Sequence, residues 1–218
     1  MVTPDLHPAP SPEPAALLAQ GRRLEHLTIA WNALEAAASL AAGILAGSIA
    51  LVGFGLDSVL ETFSAIVLLW RLRPGIEPQA RERIESKAHR WVGVCFLALA
   101  AYIAVESVWG LWQHLVPEKS ILGIAIAVAA IMVMPMLATS KRRIAEKLGS
   151  RALRSDSRQA DFCAYLSATL LVGLMLNWLV GWWWADAVAA LVMVPVIVVE
   201  GVDGLRGKGC ADCTPKPE

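Results

Sequence analysis

The chain has 218 residues, 56% of them hydrophobic and 17% charged, with a formal net charge of zero. A soluble domain carries about a quarter charged residues, whereas here the apolar residues gather into blocks near the ~20 needed for a helix to cross a ~30 Å hydrocarbon core. An ordinary soluble domain is therefore excluded, and an integral membrane protein is expected.

The N-terminal stretch MVTPDLHPAPSPEPAALLAQ is proline-rich and has no positive segment followed by an apolar core. Residues 1–22 are accordingly expected to be a disordered tail rather than a signal peptide or a folded domain. Residues 23–205 then form one transmembrane unit. Its first span is predicted over 27–46 and contains Glu35, with Asn32 one turn before it. An ionisable group at a helix centre costs roughly 2.5–3.5 kcal/mol on insertion scales, so such a residue needs water, a partner or a function. Glu35 and Asn32 are read as one polar stripe lining a path, a candidate proton relay.

The second span, 48–70, holds the stretch GSIALVGFGLDSVLE, in which Asp57 and Glu61 stand four residues apart. Four residues of helix separate side chains by about 40° and ~6 Å along the axis. One cation could therefore take oxygen from both. After it comes RLRPGIEPQARERIESKAHR, a strongly basic connection. The third span, 91–112, carries Glu106 near its far end, where water and headgroups lower the cost. The fourth, 121–139, has no ionisable residue, and Met132, Met134 and Met136 are read as packing.

A second basic connection, SKRRIAEKLGSRALRSDSR, leads to the fifth span at 159–181. Asp161 lies there, with Ser157 four residues earlier on the same face. Two carboxylates do not complete the four-ligand shell zinc prefers, and Asp161 is the natural third ligand. Cys95 and Cys163 are read as small buried apolar residues, although Cys163 lies close to Asp161. The sixth span, 184–203, opens with Asp186, whose acid suits a helix N-terminus. Residues 206–218 form a short tail in which Cys210 and Cys213 make a C-x-x-C pair, half of a candidate metal site.

Of the 19 Lys and Arg residues, all but Lys119 precede span one, follow span six, or lie in the connections after spans two and four. The positive-inside rule then puts both termini in the cytoplasm. Trp109, Trp112 and Trp182 to Trp184 fall at the opposite span ends, as an aromatic belt would. No lysine or arginine lies within the predicted spans to pair with the acids, and no nucleophile–base pairing suggests an enzyme. The acids must be protonated, wet or bound to a cation.

Six spans, cytoplasmic termini and the acids at i, i+4 in span two together resemble the cation diffusion facilitator family of zinc and manganese exporters. The likeness runs over roughly 25–205 and is most specific at GSIALVGFGLDSVLE and at GWWWADAVAALVMVPVIVVEG. The resemblance implies a membrane-centre metal site with two acids from span two and a His-x-x-x-Asp pair from span five. Asp57 and Glu61 match the first pair, Asp161 matches the last acid, and Ser157 stands where a histidine is expected. A shift of register would instead put Asp161 at the histidine position, followed by Tyr165. The family's usual C-terminal cytoplasmic domain has no counterpart here beyond the Cys210–Cys213 tail.

The resulting expectation is an all-α protein of six transmembrane helices, in the inner membrane of a bacterial cell. It would export a divalent cation, zinc or a related transition metal, in exchange for protons, as a homodimer. The metal is substrate, no cofactor is permanently bound, the bilayer is the remaining partner, and nucleic acid is not one. A non-transporting membrane metal sensor or accessory subunit is the alternative.

Overall fold

The computed structural model describes residues 12–71 and 78–206. Six α-helices account for nearly all of them: α1 Pro12–Ala46, α2 Ile49–Arg71, α3 Pro78–Trp112, α4 Ile121–Leu148, α5 Arg151–Val180 and α6 Ala185–Arg206. Each contains a stretch long and apolar enough to cross a bilayer. Because an α-helix bonds most of its backbone groups within itself, this is an architecture hydrocarbon tolerates. The protein is an integral membrane protein.

Several of the helices begin or end where the local sequence provides a stop or a cap. Gly47, Gly149 and Gly181 take left-handed φ angles of 63°, 59° and 71° just past α1, α4 and α5, a conformation that costs glycine little. Ser120 and Ser150 cap α4 and α5 by accepting from Gly123 N and Leu153 N. Pro135 and Pro195 lie inside α4 and α6. Helix α1 starts at Pro12, so it runs back through much of the segment expected to be a tail, while residues 1–11 lie outside the described residues. Similarly, α3, α4 and α5 extend past the predicted spans into the basic connections. Long amphipathic stems continue a helix without spending apolar residues, so hydropathy alone sees them poorly.

The helices associate chiefly as α1 with α2, α4 with α5 and α3 with α6, and α1–α4, α2–α3 and α5–α6 contacts close the bundle. One core joins all of it, with Leu51, Phe54, Ile103, Met134, Leu166, Leu170, Met193 and Ile197 fully or nearly fully buried. Where α3 crosses α6 the backbones touch. A Cβ on Gly93 would lie 2.7 Å from both Gly201 O and Leu205 N, so only glycine permits this approach. Small residues at such crossings replace the hydrophobic drive that lipid removes. Gly55 does the same for α2 against α1, where an added Cβ would meet Leu40 N at 2.9 Å.

The outside of the bundle is apolar. Ile44, Leu45, Trp112, Met136 and Leu179 are among its exposed large side chains, as expected of a surface that faces lipid. The turns at 47–48, 113–120 and 181–184 meet at one end, where Glu118 N donates to Ala46 O and Asn177 Nδ2 to Pro117 O. His114 stacks on Trp183 and Trp182 on Trp184 at this turn end.

Candidate metal centre

The bundle interior holds a compact polar cluster built from three helices. α1 contributes Asn32 and Glu35, α2 contributes Asp57, Ser58 and Glu61, and α5 contributes Cys163. All six are buried, with Glu35, Ser58 and Cys163 at 0% exposure and Asp57 at 3%. On α2 the i, i+4 spacing sets both carboxylates on the inward face, while Gly55 lets that helix close against α1. One ligand atom each from Asp57, Glu61 and Cys163 lies within 4.8 Å of the other two.

The hydrogen bonds around them are ordered but incomplete. Asn32 Nδ2 donates to Glu61 Oε2 at 3.1 Å. Glu35 Oε1 accepts from Ser58 Oγ at 3.0 Å and from Cys163 Sγ at 3.5 Å. Asp57 Oδ2, Glu35 Oε2 and Asn32 Oδ1 are buried without a hydrogen-bond partner. Unpaired buried carboxylate oxygens are costly, so these atoms are open acceptors for a proton, a water or a cation. Glu200 on α6 lies within electrostatic reach of Asp57 and Glu61; it is not among the residues singled out from the sequence, although it is an acid within an apolar span like the others.

Asp57, Glu61, Glu35 and Asn32 are thus brought together, but the expected ligands of span five are not with them. Asp161 is 47% exposed and pairs with Arg142 of α4 on the outside of the bundle. Ser157 is buried, yet its Oγ donates to Arg154 O of its own helix. Cys163, read from sequence as an apolar filler, takes the position facing Asp57 and Glu61. The physical reason is helical: two residues separate Asp161 from Cys163, about 200° of rotation, so one faces in when the other faces out. The signal lies in the stripe Cys163, Leu166, Ser167, Leu170 and Leu174. All five are buried at helical spacing.

One further placement changes and another gains a second role. Lys141, placed by sequence in the connection beyond span four, lies within α4 and is 1% exposed. Its Nζ bonds Glu25 of α1 at 3.4 Å and also Asp156 of α5. It is the only buried cation among the described residues, and it is engaged with these two acids. Asp186 lies in the first turn of α6, as expected, and it also caps α2 from across the turn end. It accepts from Ser48 Oγ at 2.5 Å, Ile49 N at 2.8 Å and Ala50 N at 3.4 Å. Glu106 lines a cavity of about 230 Å³ at this end, beside Ser48, Tyr102 and Asp186. Cys210 and Cys213 lie outside the described residues.

Residues 26–207 match the cation efflux transmembrane domain. The chain belongs to the cation efflux family. Among curated members and relatives, it is 30% identical over 158 residues to the uncharacterized transporter sll1263 of Synechocystis, covering 70% of this chain and 51% of that one. It is 26% identical to the cation-efflux pump FieF of Shewanella oneidensis, covering 75% of this chain and 57% of the pump. To transmembrane protein 163 of Xenopus laevis it is 27% identical, covering 63% of this chain and 50% of that protein. The chain thus spans about half the length of the curated relatives it matches. The matched region contains every member of the polar cluster, so the cluster sits in the cation efflux domain itself.

Proposed function

We propose that this protein carries a divalent transition-metal cation across a bacterial inner membrane, using Asp57 and Glu61 of α2 and Cys163 of α5 as its substrate site. The observation that carries this is the meeting of three potential ligands within 4.8 Å of one another, in a bundle whose buried lysine is committed to Glu25 and Asp156. Family membership and the likeness to a cation-efflux pump support it. With the cation present, two carboxylates are neutralised by it; when it leaves, protons take its place. That alternation makes the carrier a metal–proton antiporter, with Glu35 and Asn32 beside the site as the proton path.

Zinc or a similar ion is the expected cargo, both termini are cytoplasmic by the distribution of basic residues, and export is the direction. A second copy of the chain completes the working unit. The test is metal flux into proteoliposomes loaded with a metal-sensitive dye, under an imposed pH gradient. Wild-type protein should accumulate the metal, and Asp57→Asn should not, while still inserting and folding. Flux by Asp57→Asn equal to wild type would remove the site. Equilibrium binding with no flux in the wild type would indicate a sensor rather than a carrier.

A further inference from the structure

We infer that Cys163 is the specificity-determining ligand of the site, so that the protein selects thiophilic divalent cations such as Cd²⁺ and Zn²⁺ over oxygen-seeking ones such as Mn²⁺. This rests on the proposal that Asp57 and Glu61 bind the transported cation, and it deepens it by naming what the third donor does.

Four observations converge. The sulfur offers a ligand atom within 4.8 Å of those of both carboxylates. The residue has no exposure, so the thiol is shielded from solvent oxidants and faces the interior alone. Asp57 Oδ2, on a side chain 3% exposed, has no hydrogen-bond partner, which leaves an acceptor open toward the cluster. Finally, the Cys163 thiol donates to Glu35 Oε1, itself fixed by Ser58, so the sulfur is oriented rather than free to rotate. Buried cysteine as a mere filler would need neither a carboxylate acceptor nor two further acids in reach.

Donor chemistry then decides selectivity. Carboxylate and water donors suit Mn²⁺ and Mg²⁺, whereas a thiolate favours zinc and softer ions. The resemblance read from sequence implies histidine and aspartate from this helix. The α5 register presents sulfur instead. As the metal–sulfur bond forms, the S–H bond breaks and its proton is released to water, and no electron changes hands. Water or Glu35, whose Oε2 is unpartnered, completes the shell.

The test uses full-length protein in which Cys95, Cys210 and Cys213 are replaced by serine, so that Cys163 is the sole thiol. Titration with Cd²⁺ should produce a sulfur-to-metal charge-transfer absorption in the ultraviolet, and the same protein carrying Cys163→Ser should lack it. In competition binding, Cys163→Ser should lower the preference for Cd²⁺ over Mn²⁺ by ~10–100-fold, the range by which even supporting groups alter metal sites. Cys163→Asp, which restores a third charge without sulfur, should shift the preference toward Mn²⁺ and shows that loss of Cd²⁺ selectivity is not misfolding.

Absence of the absorption band while Cd²⁺ still binds would overturn the inference. So would an unchanged Cd²⁺/Mn²⁺ ratio in both variants. Either result with wild-type flux intact leaves the carrier reading standing, whereas an undiminished Cd²⁺ titration of the band in Asp57→Asn would place the sulfur in a different site and overturn the inference as well.

Discussion

Replacing Lys141 by methionine tests whether the Glu25–Lys141–Asp156 cluster between α1, α4 and α5 is a structural clamp. The ammonium is 1% exposed and holds Glu25, which has no exposure, and Asp156, which is 10% exposed. Glu25 Oε1 already lacks a partner, so no spare donor stands ready to replace the lysine. Removing one member of a buried ion pair costs about 3–5 kcal/mol, because the remaining charge is left uncompensated. At about 2–4 °C per kcal/mol for a chain of this size, Lys141→Met should lower the melting temperature by about 6–20 °C. Circular dichroism in detergent micelles measures this. Arg142→Met is the internal control, since its partner Asp161 is half exposed, and a surface pair contributes at most ~1 kcal/mol. Adding Glu25→Gln and Asp156→Asn to Lys141→Met should recover much of the loss by removing the stranded charges. If Lys141→Met melts within ~2 °C of the wild type, the clamp contributes under about 1 kcal/mol and the reasoning fails.

Two other outcomes follow from the site. Asp186→Ala removes the acceptor of Ser48 Oγ, Ile49 N and Ala50 N, at about 1.5–3 kcal/mol for hydrogen bonds to a charged group; thermal melts should show the loss, and hydrogen exchange should quicken at the first turn of α2, with Asp186→Asn intermediate. Asp161→Asn breaks an exposed pair away from the cluster, so metal flux in proteoliposomes should match the wild type and stability should change by less than ~1 kcal/mol; a loss of flux would return Asp161 to the cation path.

The polar cluster is partly legible in the amino-acid sequence. Asp57 and Glu61 announce themselves because two acids in an apolar run are expensive wherever the run is placed, and their spacing fixes their shared face. Glu35 and Asn32 follow the same logic. Cys163 does not, because an apolar-looking residue inside an apolar span carries no energetic anomaly. Asp161 misleads for the complementary reason: it is anomalous by composition, yet Arg142, from the basic connection after the fourth span, reaches it on the outer surface. Lys141 is hidden because hydropathy ends the fourth span before it. Helix α4 continues to Leu148, and the extra turns bring the lysine between Glu25 and Asp156.

Taken alone, the sequence determined the class of molecule, the number of helices, their order and the two acids of α2. These are consequences of length and transfer free energy, which each segment satisfies by itself in a bilayer. Tertiary structure decided which face of α5 turns inward, and therefore that sulfur rather than a third carboxylate meets Asp57 and Glu61. It also decided that Asp186, in the first turn of its own helix, caps α2 as well. Helix rotation is set by packing against neighbours, through the Gly93 crossing with α6 and the stripe from Cys163 to Leu174, and no single segment contains that information.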